Sequence, residues 1–192
     1  MNELHERIIE ISKKYKLSHL GSNLTSVDII DTIYSLKGDN DPFILSMGHA
    51  ALALYVVNEK WHGIDAEQVY LRHGVHAERC GLCHISCSAG SLGIGITIAL
   101  GMALADRTKN VYCLISDGEI YEGSVYETAN AIRKYNITNL KLYLNYNGWS
   151  AYDSVPQWMV DNIIRLIPDI EVWHTSVEKY GLKGLSAHYV TL

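Results

Sequence analysis

The sequence predicts an α/β fold: a three-layer domain with a mostly parallel sheet and helices on both faces. Three observations lead there. Residues 111–149 run as an apolar segment, a turn at Ser116-Asp117-Gly118, an acidic helix-forming segment, a second apolar segment and a turn at Asn145-Tyr146-Asn147-Gly148. Two strands joined through a helix are normally parallel, so Asp117 and Asn147 fall on one carboxyl edge of the sheet, where ligands of open α/β sheets bind. Short apolar runs at 43–46 and 170–177, bounded by turn residues, add further strands. Finally, 192 residues suffice for one domain with a real core and hardly for two, so a single domain over 1–192 is expected.

Taken in order, Leu4, Ile8, Ile11 and Tyr15 share one helical face, with Glu3, Glu6, Arg7, Glu10 and Lys14 on the others: a surface helix with a buried stripe. Residues 18–25 break that pattern and read as a loop holding His19. Ser26 is the expected N-cap of a helix from Val27 to about Leu36. A turn at 37–42 leads into the strand at 43–46, and His49, behind Gly48, opens a helix running to about Glu59. Residues 71–91 are irregular and rich in His, Cys, Gly and Ser, a composition common in functional loops. Residues 93–105 are almost wholly apolar but too short for a bilayer, and read as a central buried helix packed through its glycines and alanines. A helix at 156–166, the strand at 170–177 and an apolar fragment at 189–192 complete the chain.

Sixteen Lys and Arg against twenty-one Asp and Glu give a net charge of −5. The cations are scattered rather than gathered into a stripe, which argues against nucleic acid as a partner. No apolar run is long enough for a bilayer span, and the amphipathic start does not read as a leader, so a soluble, cytoplasmic protein without membrane contact is expected. Four cysteines, three of them clustered, do not resemble the disulfide framework of a small secreted domain.

A carboxylate and an amide oxygen meeting at strand ends suit a hard cation such as Mg²⁺, which keeps some ligands from a substrate or cofactor phosphate. Gly118, just before a helix, allows backbone N–H groups to approach that phosphate. The bland alternative is a solvated turn Asp and a structural Asn. Likewise His19 could be a loop histidine at a helix end, and Glu122 a first-turn acid that complements the helix dipole.

Four motifs in order resemble the thiamine-diphosphate-binding domain of transketolases, especially the N-terminal half of the split bacterial type. They are Ser18-His19-Leu20-Gly21-Ser22; Leu45-Ser46-Met47-Gly48-His49-Ala50; Gly90-Ser91-Leu92-Gly93-Ile94-Gly95; and Ser116-Asp117-Gly118-Glu119 with Glu122-Gly123 and Asn147. The resemblance implies thiamine diphosphate and Mg²⁺ as cofactors. It makes Asp117, Asn147 and the carbonyl of Trp149 metal ligands, and Gly118, Glu119, His49 and Asn147 neighbours of the diphosphate. Gly90 and Leu92 would contact the aminopyrimidine, Glu122 would be a carboxylate near the cofactor where two protein chains meet, His19 and His76 would line the substrate channel, and His19, His49 and His76 would steer hydroxyls and protons. Imidazoles suit that work because they hydrogen-bond hydroxyls and exchange protons near neutral pH.

In that family the aminopyrimidine is activated by a glutamate on a second domain, and no second α/β domain is visible here. The resemblance therefore implies a heterotetramer of two pairs, each completed by a separate pyrimidine-binding subunit, and transfer of a ketol group from a ketose to an aldose. The alternatives are another thiamine-dependent reaction, such as 2-oxo acid decarboxylation, or a catalytically silent subunit. The chain departs from the family pattern at Ser116, at Asn145, at Ile94 and in the short 37–42 connection.

Cys80-Gly81-Leu82-Cys83-His84 satisfies the pattern for covalent haem attachment, which needs export. With Cys87, His73 and His76 it also supplies enough ligands for Zn²⁺, though without the second knuckle of a zinc ribbon. Free thiols in a loop are the third reading.

Overall fold

Successive residues of the strand Val111–Ser116 are buried on opposite sides: Tyr112 and Leu114 pack with one cluster of core residues, and Val111, Cys113 and Ile115 with another. A strand buried on both faces is what a parallel sheet between two helical layers requires. The computed structural model describes residues 2–192 and bears this out. Strands β1 (Phe43–Leu45), β2 (Val111–Ser116), β3 (Leu140–Tyr146) and β4 (Glu171–His174) form a parallel sheet in the order β1-β2-β3-β4. Ser116 is in register with Asn145, and Asn145 with Trp173.

Helices α1 (Glu3–Tyr15), α2 (Leu20–Leu36), α3 (Ala51–His62) and α4 (Ala66–His73) supply one layer. The other consists of α5 (Ile94–Ala105), α6 (Gly123–Lys134) and α7 (Gln157–Leu166). Among the described residues no helix is long and apolar enough to cross a membrane.

Several expectations need correction. Helix α2 begins at Leu20, seven residues before Val27, and Ser26 lies inside it rather than at its cap. The polar side chains that favour a loop there are absorbed by the fold. Ser26 Oγ donates to the Ser22 carbonyl (2.6 Å) and Thr25 Oγ1 to that of Gly21 (3.0 Å). Asn145 Nδ2 on β3 donates to both hydroxyls at 2.9 and 3.0 Å. Tertiary partners thus outweigh local propensity. Asn145 is fully buried and its Oδ1 accepts from Thr175 Oγ1 (2.6 Å), so it ties α2, β3 and the segment after β4 together.

Helix α5 is not central. Its small residues Gly95, Ala99 and Ala103 are buried with Ile96, whereas Ile94 is 45% and Leu104 37% exposed. A Cβ on Gly95 would lie 2.4 Å from Ser46 Cα, so glycine is what allows the first turn of α5 to meet the end of β1. The last strand is shorter than 170–177, and α4 occupies 66–70, left unassigned by the sequence, and 71–73, expected to be irregular.

Candidate functional site

Because β2 and β3 are parallel neighbours, the residues following them emerge on one edge. Asp117 is fully buried there, and its carboxylate accepts three backbone N–H groups: Gly118 at 3.0 Å, Asn147 at 3.0 Å and Gly148 at 2.7 Å. Asn147 Oδ1 accepts from the N–H of Trp149 (2.9 Å), turning the chain so that Trp149 faces the same space. Burial pushes the Asp117 carboxyl up to about 7, against the pull of the three donors. A carboxylate desolvated in this way is relieved by an adjacent cation. The donor set, a carboxylate beside an amide oxygen in a polar turn, fits a hard divalent ion.

Three loops from other elements close on this edge. His19 stands at the N-cap of α2 in the left-handed conformation (φ 61°), which is uncommon for a non-glycine residue. It is held there by its N–H to the His188 carbonyl (2.9 Å) and by Asn23 Nδ2 to its own carbonyl (2.9 Å). Its Nδ1 is buried without a hydrogen-bond partner. His49 sits in the turn between β1 and α3. Gly48 beside it packs so closely that a Cβ would lie 2.2 Å from the Ala89 carbonyl oxygen, which brings the 74–93 loop, with His76, Gly90 and Leu92, against the edge.

The result is a cavity of about 170 Å³ whose walls include His19, His49, His76, Gly90, Leu92, Asp117, Gly118, Asn147 and Trp149. Nine of the eleven residues singled out in the sequence therefore converge. Larger clefts of about 590 and 760 Å³ lie elsewhere and collect none of them. Glu119 and Glu122 are outside the wall. Glu119 is fully buried and accepts from Ser46 Oγ (2.5 Å), Gly93 N–H (2.9 Å), Ser116 N–H (2.8 Å) and Ser116 Oγ (3.3 Å). Both its oxygens are thus engaged in clamping three site loops together, not in facing the cavity. Glu122 is half-buried, with its Cβ against Gly93 at the start of α5.

Sequence patterns do not reveal His188. It lies in the 3-10 turn Gly184–His188 and completes a triangle of imidazoles: ring centres are 5.2 Å apart for His19–His49 and 5.7 Å for each to His188. The tail carrying it docks through Gly184 on the Trp149 indole and Tyr189 Oη to the Ala151 carbonyl (2.8 Å). No periodicity or motif near the end of the chain marks it. Burial lowers the pKa of His19, His49 and His188, and mutual repulsion adds to it for His19 and His49.

His49 is pushed to about 3, so it is neutral throughout the physiological range. A neutral imidazole at this place is suited to hydrogen bonding. A histidine depressed in this way leaves stability intact above its unfolded value of 6.5 and withdraws it as pH falls toward 3, because only the unfolded state takes up the proton. Relative to His49→Gln, the wild type is expected to lose about 2 kcal/mol of unfolding free energy between about pH 7 and about pH 5. Urea unfolding of both proteins measures it, and a pH-independent difference would refute it.

The cysteine-rich loop divides differently from the sequence expectation. His76 goes to the cavity, Cys87 is buried in the opposite core layer, and His73, Cys80 and Cys83 stay together.

A parallel sheet between two helical layers, with five loops converging beyond its carboxyl edge, defines a three-layer α/β domain whose candidate site lies where open α/β sheets bind ligands. The family profile described as 1-deoxy-D-xylulose-5-phosphate synthase matches residues 1–170, and the chain belongs to that transketolase-like family as an N-terminal domain. The A subunit of apulose-4-phosphate transketolase from Phocaeicola vulgatus is 29% identical over 161 residues, covering 74% of this chain and 57% of that protein. Human transketolase is 33% identical over 152 residues, covering 72% of this chain and 24% of the enzyme. The chain thus spans about half the length of the first and a quarter of the second. The crystal structure of Campylobacter jejuni transketolase superposes with a TM-score of 0.66 at 22% identity over 88% of this chain and 32% of that one, a likeness of fold.

Proposed function

We propose that the chain, as one domain, is the diphosphate-binding subunit of a split transketolase-like transferase. In this reading it holds thiamine diphosphate and Mg²⁺ and, with a pyrimidine-binding subunit, moves a ketol group from a ketose donor to an aldose acceptor. The observation that carries it is the convergence of three histidines from separate loops with Asp117, Gly118, Asn147 and Trp149 on one cavity. Thiamine diphosphate supplies a nucleophilic carbon for breaking and making the carbon–carbon bond.

This chain's residues would do the holding. Asp117, Asn147 and the Trp149 carbonyl would take the metal, with Gly118 beside the diphosphate and Gly90 and Leu92 beside the aminopyrimidine. Glu119 would act indirectly, by fixing the loops. His49, neutral, would hydrogen-bond the diphosphate or a hydroxyl, while His19, with its unpartnered Nδ1, and His76 would orient donor hydroxyls and pass protons. No lysine or arginine lines the cavity among the described residues, so charge on a bound anion falls to the metal and backbone dipoles on this side.

Three features support a partner. A cavity of about 170 Å³ is smaller than the roughly 300–1,000 Å³ of sites that enclose a whole ligand, as a half-site would be. Large hydrophobic side chains on segments next to the site stand exposed, Ile94 on α5 at 45% and Tyr121 at 50%, as residues covered by a second subunit would in the lone chain. The Phocaeicola relative, itself one subunit of a transketolase, also fits a split enzyme.

The test combines the full chain with the product of a neighbouring reading frame encoding a pyrimidine-binding domain, thiamine diphosphate and Mg²⁺. Ketol transfer by the pair, none by the chain alone, and a complex with the mass of two pairs are expected. Turnover by the lone chain would sink the partner requirement, and turnover of a 2-oxo acid but no ketose would shift the reaction class. A stable pair inert toward both would favour the silent-subunit reading, which the soluble, cytoplasmic setting we infer leaves equally open.

A further inference from the structure

Outside that cavity lies a cluster the proposed function does not use. Helix α4 ends at His73, and after Gly74 the chain reverses into a turn in which Cys80 and Ile85 exchange both backbone hydrogen bonds at 2.9 Å. Inside it the N–H of Cys83 reaches the Cys80 carbonyl (3.3 Å) and that of His84 the Gly81 carbonyl (3.3 Å), with His84 at φ 52°. This folding back brings both sulfurs to the same side, facing the helix end. One ligand atom each from His73, Cys80 and Cys83 lies within 4.8 Å of the others, and His73 Nε2 is 3.4 Å from Cys83 Sγ. With Zn–S near 2.3 Å and Zn–N near 2.0–2.1 Å, a tetrahedron has an N···S edge of roughly 3.6 Å. The pair thus already stands at close to ligand spacing.

We propose that His73, Cys80 and Cys83 form a zinc site that staples the 74–93 loop to the end of α4. Two thiolates and an imidazole are soft to intermediate donors that select Zn²⁺ over Mg²⁺. Three protein ligands leave the fourth tetrahedral corner to water. Cys83 is fixed from behind: the buried Asn58 donates Nδ2 to its carbonyl (2.8 Å) and accepts from Tyr34 Oη (2.7 Å).

The haem pattern finds no matching geometry, since His84 stacks on His62 with ring centres 3.7 Å apart while His73, outside the motif, faces the sulfurs. All four cysteines are free thiols. Because the stapled loop carries His76, Gly90 and Leu92, the metal would set the order of one wall of the cavity.

The test is metal analysis of the full chain, purified from zinc-supplemented cells and dialysed against a chelator at a concentration that removes loosely held ions. One zinc per chain is expected, falling to roughly a tenth or less in His73→Ala, Cys80→Ser and Cys83→Ser, while Cys87→Ser keeps it. Since a ligand variant could fail to fold, Co²⁺ is also titrated into wild-type apoprotein, where thiolate-to-cobalt charge-transfer bands and intense tetrahedral d–d bands are expected. No retained zinc and no such bands would overturn the proposal. So would a Cys80–Cys83 disulfide in place of metal, or zinc that survives the ligand substitutions but is lost in Cys87→Ser.

Discussion

Glu119→Ala is expected to destabilise the chain by about 3 kcal/mol or more, the largest effect of any single substitution at the site. The carboxylate accepts from Ser46 Oγ, Gly93 N–H, Ser116 N–H and Ser116 Oγ in a fully buried position. Removing it strands at least the first three of these donors, at about 1–3 kcal/mol for each buried group left without a partner. Ser46 Oγ is also tied to the N–H of Ile96 (3.2 Å), so the disturbance reaches the first turn of α5. Against a typical total of about 5–15 kcal/mol the loss is serious. Glu119→Gln should fall between the two, because its amide nitrogen brings a fifth donor to a place where only acceptors are wanted. Denaturant midpoints at constant slope give the comparison, and an alanine variant within about 1 kcal/mol of wild type would show that the clamp is not energetically coupled.

Under the proposed function, Asp117→Asn is expected to keep the fold yet weaken Mg²⁺-dependent binding of thiamine diphosphate by at least about 100-fold, somewhat beyond what loss of an outer-shell partner does. The amide retains an oxygen for the N–H groups of Asn147 and Gly148, now at 3.0 and 2.7 Å, while the charge is lost and the Gly118 N–H, now at 3.0 Å from the other oxygen, loses its acceptor. The alanine variant would confound binding with the desolvated donors it leaves behind. Calorimetric titration of cofactor into the full chain, with and without Mg²⁺, separates the two. Unchanged affinity in the asparagine variant, or wild-type binding indifferent to Mg²⁺, would overturn the proposed role of Asp117 as a metal ligand.

The fold class is legible because it rests on periodicity and on one rule of connection. Apolar runs of strand length separated by helical segments leave few arrangements besides a parallel sheet, and a parallel sheet puts the residues after each strand on one edge. Asp117 and Asn147 can therefore be paired across thirty residues of sequence, and the N–H of Asn147 does donate to Asp117 (3.0 Å). The motif order adds His19, His49 and the Gly90 to Leu92 turn, all in the same wall.

What the sequence misleads on has a common cause: it marks residue types, while side-chain direction is set by partners far along the chain. Glu119, adjacent to Gly118 in a cofactor-type motif, turns inward because three loops present donors to it. The all-apolar α5 reads as central, but its small residues are the ones pressed against Ser46, leaving Ile94 and Leu104 outside.

By itself, then, the sequence determined the α/β class and the common edge of Asp117 and Asn147, consequences of local pattern and chain connectivity, and its four motifs carried the resemblance to the family. Only the tertiary structure decided that α2 starts at Leu20, that His188 joins His19 and His49, and that His73 rather than His76 faces Cys80 and Cys83. Each of these depends on long-range packing and hydrogen bonding, whose free energy exceeds the local preferences that a sequence displays.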